Sequence, residues 1–198
     1  FYEDGFIPHF EPLWNHKFKP SEGFHAYSYP YETEGVIIQL NKKDVCEWLM
    51  RNSLLENKPE NLNEFFFTME EEIEDKIKTL LHTLSHLLIR FSSLYSGLDT
   101  RSYGEKIFPN SCALLIFSNS SINVGGIEFI FENEIINWFK DVMLEINECT
   151  LDPNCIKNKG SCFSCLYLQE FVCCNFNHNL DRDVFLGKSN RYQKGFWK

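Results

Sequence analysis

No apolar run in this chain approaches the roughly 20 residues needed to cross a membrane, and nothing at its start resembles a secretion signal. That predicts a cytoplasmic protein with no membrane partner. Positive charge is also scarce: 19 Lys and Arg against 28 Asp and Glu leave a net charge of -9. A broad electrostatic grip on nucleic acid needs clustered cations that displace counterions, so any DNA contact is expected to be local or shared with a partner. No Gly-Lys-Ser/Thr follows the Gly125-Gly126 pair, and no acidic metal-binding box follows a strand, so a nucleotide-driven engine is excluded from these residues. Internal repeats and low-complexity tracts are missing as well.

Aromatic residues, in contrast, are abundant. With 19 Phe and 8 Tyr among 198 residues the chain carries ample material for one folded core, or for two small lobes. It opens on Phe1 instead of Met, which predicts a fragment, a processed product or an excised piece of a longer protein.

Residues 1–31, interrupted by Pro8, Pro12, Pro20 and Pro30, read as an extended aromatic arm. Val36 to Leu40 reads as a short strand after Gly35, and Asp44 to Met50 as a short helix with Val45, Trp48 and Leu49 on one side. Apolar residues at spacings of three and four, from Ile73 through Ile77, Leu80, Leu84, Leu87, Leu88, Phe91 and Leu94, predict one long amphipathic helix. It is expected to run from near Glu64 to about Tyr95 and to stop at Gly97. Ala113 to Ser118 reads as a buried strand, Gly125-Gly126 as a tight strand-to-helix turn, and Glu134 to Asn147 as a second helix. A short helix is expected after Leu180-Asp181-Arg182, with Arg182 able to pair with an acid, and residues 189–198 form a basic and aromatic tail.

Chemistry concentrates in the cysteines. Cys149 and Cys155, then Cys162-Phe-Ser-Cys165, then Cys173-Cys174 crowd one loop-like stretch, and two residues between Cys162 and Cys165 let a single turn present both sulfurs to one ion. In a reducing compartment such spacing favours metal over disulfides. One structural Zn2+ is expected, held by four of Cys149, Cys155, Cys162, Cys165 and Cys173, with His178 as a possible substitute. Cys174 should point away from its neighbour's site, and Cys46 and Cys112 read as core residues.

His82 and His86 fall four apart on the long helix and share one face, as in a zinc-protease helix. Thr83 stands where that motif needs its glutamate, so protease chemistry lacks its base. At about 100° per residue the pair lies opposite Leu80, Leu84 and Phe91, which predicts that it faces solvent or a second layer such as the cysteine segment. No catalytic carboxylate is assigned.

Taken in order, HTLSHLLIR (His82 to Arg90), VGGIE (Val124 to Glu128), the cysteine cluster and LDRDVFL (Leu180 to Leu186) resemble the DrmB-like and MrfA-type helicase C-terminal zinc-binding (MZB) domain family of DISARM anti-phage defence and DNA repair. Cys149, Asp152, Pro153 and Cys155 match that family's first cysteine pair. Cys162 and Cys165 match the second, and Glu170 with Cys173 the segment before Leu180-Asp181-Arg182. ETEGVIIQL (Glu32 to Leu40) and Trp48-Leu49 are also similar, so the likeness spans most of residues 30–188. Phe163 departs from a position that tends to hold His.

The resemblance implies a non-catalytic module that works beside a superfamily 2 helicase, with the ATPase on another chain or in an N-terminal part of the same protein, and with DNA engaged through the complex. The expected fold is a mixed α+β domain spanning residues 32–188, with a long central helix, short strands and a C-terminal cysteine-rich zinc knuckle at 149–173. Two rivals are a zinc-dependent hydrolase or nuclease using His82 and His86, which requires an open metal position, and a stand-alone DNA-binding zinc module.

Overall fold

A computed structural model describes residues 32–119, 125–147, 149, 151–152, 154–155, 159–187 and 192–197. The chain divides into two units, Phe1–Glu32 and Thr33–Lys198. The expected arm at 1–31 lies outside the described residues.

The elements of the second unit are β1 (Gly35–Gln39), α1 (Lys42–Arg51), α2 (Leu62–Thr68), α3 (Glu71–Ser96), β2 (Tyr103–Phe108), β3 (Ala113–Ser118), α4 (Gly126–Phe129), α5 (Ile135–Glu145) and α6 (Asp183–Leu186). The fold is mixed, as expected, with a long helix at its centre. The strands form an antiparallel sheet in the order β1-β3-β2, with Val36 opposite Ile116 and Glu105 opposite Ile116 on the other side. β3 is central and correspondingly apolar: Ala113, Leu114, Ile116 and Ser118 are buried.

The long helix is shorter than expected. Met69 and Glu70 adopt extended backbone with ψ near 150°, which separates α2 from α3. The apolar periodicity begins only at Ile73, so it does not support helix back to Glu64. The break lets Glu71, Glu72 and Glu74 fall in the first turn of α3, where carboxylates complement the positive end of the helix, while Phe66 reaches the core independently. Gly97, at φ 71°, ends α3 in the left-handed conformation. Leu94 leaves the expected stripe and is 69% exposed.

From Leu80 to Ile89 every residue of α3 is buried, polar ones included. Such a helix is covered on all sides. The sheet packs on it, and α5 crosses it, where Trp138 donates its indole N–H to Leu88 O at 2.9 Å. The cysteine-bearing coil also packs on it, through His86 and Arg90.

The expected helix at Glu134 to Asn147 extends backward: α5 continues from α4 through a π-helical turn at Ile130–Glu134. Gly125, at φ 70°, makes the strand-to-helix turn, and the start of α4 receives the Glu34 carboxylate, which accepts hydrogen bonds from Gly126 N, Ile127 N and Glu128 N at 2.9, 3.1 and 3.0 Å. A carboxylate from the chain itself therefore fills the place a phosphate would take.

The closing segment packs on its own domain. Tyr192 stacks on Trp48, Trp197 stacks on Phe185, and the backbone of Lys194 exchanges two hydrogen bonds with the Asn52 amide. Gly187 and Gly195 meet here so closely that a Cβ on Gly195 would sit 1.8 Å from Phe185 O.

A cysteine cluster and its buried neighbour

The described residues between Cys149 and Cys165 form turns closed by short-range hydrogen bonds, and the segment is tied outward by Arg182 N to Lys159 O at 2.9 Å and Arg90 Nη2 to Ser164 O at 2.6 Å. Asp152 O accepts from Cys155 N and its carboxylate from Asn154 N, closing the first turn at 3.0 and 2.9 Å. Gly160 N donates to Cys155 O, and Gly160 and Lys159 both take positive φ. Cys162 O then accepts from Cys165 N and Leu166 N, which folds the two-residue spacing into one knuckle.

The result brings four sulfurs together. Cys155 Sγ lies 3.4 Å from Cys165 Sγ, Cys162 Sγ lies 3.3 Å from Cys165 Sγ, and Cys149 Sγ lies 3.8 Å from Cys162 Sγ. All four fall within 4.8 Å of one another, and none is in a disulfide. A tetrahedral ion with metal–sulfur bonds of about 2.3 Å sets its sulfurs roughly 3.8 Å apart, so these residues can hold a metal ion.

Electrostatics fit the same purpose. Burial, followed by hydrogen bonds from its sulfur neighbours, pushes the Cys155 thiol up. Cys165 is also raised by burial, against the pull of backbone bonding and of Arg182. At Cys162 burial works upward too, but hydrogen bonds from Cys165 and Cys155 outweigh it and bring the thiol below its usual value. A crowd of thiols thus ionises unevenly, and a bound cation removes that conflict. Arg182, fully buried, stands beside Cys165 and donates to Glu145 O at 3.1 Å. Its charge would offset the excess negative charge of four thiolates around a divalent ion.

Of the five candidate ligands, Cys173 is placed elsewhere. Its sulfur lies 3.2 Å from His82 Nε2 in a second constellation with His86 and Glu105. The backbone N–H groups of Asn175 and Asn177 donate to this sulfur at 3.3 and 3.1 Å and fix it beside His82. His178 is exposed and joins neither group among the described residues. Cys174 points its sulfur toward Glu105, 3.8 Å away, although the residue as a whole is exposed; burial and then Glu105 push its thiol up to about 12. Cys46 and Cys112 are core residues.

In the second constellation His82 and His86 meet edge to face at 4.4 Å. Neither faces solvent, since both are fully buried. Glu105 Oε1 lies 3.1 Å from His82 Nε2 and 3.3 Å from His86 Nε2. Burial alone would raise the Glu105 carboxyl, but the two histidines hold it well below the usual carboxylate range.

Nothing in the local sequence singles out Glu105, because β2 itself is concealed: Gly104, Glu105 and Lys106 interrupt any apolar run. The available signal is alternation, since Tyr103, Glu105 and Ile107 share one strand face. A carboxylate there is a charge at a core position.

The fold and the first cluster define a mixed α+β domain whose coil gathers four cysteines that could hold a metal ion. No family model matches the chain. The sequence is DrmB-like: it is similar to the DISARM protein DrmB of Bacillus paralicheniformis, with 26% identity over 187 residues, covering 83% of this chain and 33% of that protein. The chain therefore spans about a third of the length of that relative.

Proposed function

We propose that this chain is the zinc-binding module of a DISARM defence component, non-catalytic in itself, which works in the cytoplasm beside a superfamily 2 helicase. The helicase is a separate subunit or the N-terminal part of the same protein, and DNA is engaged through the complex. The observation that carries this reading is the convergence of Cys149, Cys155, Cys162 and Cys165 on a volume the size of one tetrahedral ion. Four thiolates fill the coordination shell of zinc, which suits scaffolding and leaves no position for a reacting water.

Similarity to DrmB supports the defence assignment, and the MZB-like order of motifs supports the helicase partner. The cysteine segment also presents Leu151, Phe163 and Phe171 to solvent at 70%, 83% and 65% exposure, apolar area of the kind that binds protein. The net charge of -9 opposes a stand-alone DNA-binding role. The hydrolase reading suffers from the burial of His82 and His86, because a hydrolytic site needs substrate access.

Affinity purification of the natural full-length protein from cells that carry its neighbouring defence genes tests the proposal. A helicase is expected to co-purify in stoichiometric amount, with zinc measured in the complex. Recovery of the protein alone, or without zinc, overturns it.

A further inference from the structure

We infer that His82, His86, Glu105 and Cys173 form a second metal site, one that takes a divalent transition ion of zinc's class and is fully enclosed by the domain. Their ligand atoms lie within 4.8 Å of one another and all four residues are buried. They come from α3, β2 and the coil beyond the cysteine cluster, so the fold itself brings them together.

The hydrogen bonds around the group fix which atoms face inward. His86 Nδ1 lies 2.8 Å from Leu166 O, a carbonyl that can only accept, so this nitrogen carries a proton and Nε2 is the atom that a bound ion would use. Nε2 faces Glu105 Oε1 at 3.3 Å, is buried and makes no hydrogen bond. Glu105 receives the Ser85 hydroxyl on its other oxygen. Cys173 Sγ accepts from Asn175 N at 3.3 Å and from Asn177 N at 3.1 Å, two backbone donors on the side away from His82 and Glu105. At three of the four residues an outer partner satisfies the far side of the ligand, and a ligand atom is left facing the centre. Ligands around metal ions are held in this way.

Charge gives the same answer. As ligands the four residues would supply one carboxylate, one thiolate and two neutral imidazoles, a sum of minus two that a divalent ion would neutralise. Two nitrogens, one oxygen and one sulfur suit a borderline ion such as zinc. Because no ligand is exposed, the role is structural: the ion ties α3 to β2 and to the coil. Leu166, which holds His86, directly follows Cys165, so the coil is anchored to both sites.

The test is metal content and zinc X-ray absorption on the full-length wild-type protein. The expected result is two zinc ions per chain with an average first shell of five sulfurs to three nitrogen or oxygen atoms, from four thiolates at one site and the mixed set at the other. A single ion in an all-sulfur shell overturns this inference while leaving the cysteine site standing. A single ion in a mostly nitrogen and oxygen shell overturns the cysteine site instead. The paired substitution His86→Gln with Cys173→Ser should remove one ion of the two and leave an all-sulfur spectrum; retention of both ions sinks the inference. If that variant fails to fold, the wild-type shell decides.

Discussion

The two ligand groups of this domain are built in opposite ways. The cysteine cluster draws all four cysteines from the stretch Cys149 to Cys165, whose described residues lie in no helix or strand element, and two of its sulfurs belong to half-exposed residues. The histidine group draws from α3, β2 and a distant coil and is wholly buried. In the first, turn hydrogen bonds and ties from Arg182 N to Lys159 O and from Arg90 Nη2 to Ser164 O hold the backbone. No helix or strand element among the described residues carries a ligand, however, so a bound ion supplies a large share of the order. In the second, packing of the helix against the sheet already positions the ligands. The first site should therefore depend on its ion for its shape, and the second much less.

Removing a ligand from the cysteine cluster is the most forceful way to break this contrast. Cys165→Ser should lose one ion and cost more than the roughly 2–5 kcal/mol of a core Leu→Ala change, because metal binding and folding of the segment are one equilibrium. Thermal melting with metal analysis measures it, and limited proteolysis should cut between residues 149 and 165. An unchanged melt with full zinc content would show that the turns hold themselves.

Arg182→Met probes the same site from outside its ligand shell. It removes a buried cation beside Cys165 and the bond to Glu145 O, and should cost about 3 kcal/mol with weaker zinc retention against a chelator. A loss of stability with no change in chelator sensitivity would separate Arg182 from the cluster.

The contrast also explains what can be read from sequence. Cys162 and Cys165 announce a knuckle because their spacing is the geometry, and the apolar repeat after Ile73 marks α3 for the same reason. His82 and His86 are visible as a shared face, but nothing local tells a buried face from an exposed one on a helix covered all round. Glu105 and Cys173 acquire meaning only when the sheet and the coil close on α3, across separations that spacing rules do not reach. Cys173 draws attention through its closeness to Cys165 in the chain, and tertiary structure sends it to the other group. The break at Met69 and Glu70 is hidden because a helix start and a helix interior can carry the same acidic residues.

Long-range placement without a metal offers a milder comparison. Glu34→Gln keeps the shape of the side chain that caps α4 from 92 residues away but removes its charge, and should cost about 1 kcal/mol in chemical denaturation. Zinc content should stay unchanged, since neither group includes this residue. A larger effect, or a loss of metal, would mean that the α4 start and the ligand groups are energetically joined.

The smallest expected effect lies at alkaline pH, far from either group. Tyr95 on α3 donates its hydroxyl to Asp141 on α5 at 2.5 Å. That bond, with burial and the carboxylate's charge behind it, pushes the phenol up to about 12 from its usual 10. The folded state thus favours the neutral phenol. Its contribution is complete below pH 10, where both folded and unfolded forms are protonated, and is lost as pH rises from 10 through 12. Denaturation midpoints should fall over that window in the natural protein and fall less in Tyr95→Phe. The metal groups respond at the other end of the scale, where acid protonates thiolates and imidazoles and releases the ions. If alkaline loosening of α3 from α5 also released zinc, the second group would depend on the packing of α3 as its buried construction implies; if zinc stays bound, the ligands hold α3 to β2 and the coil without help from α5.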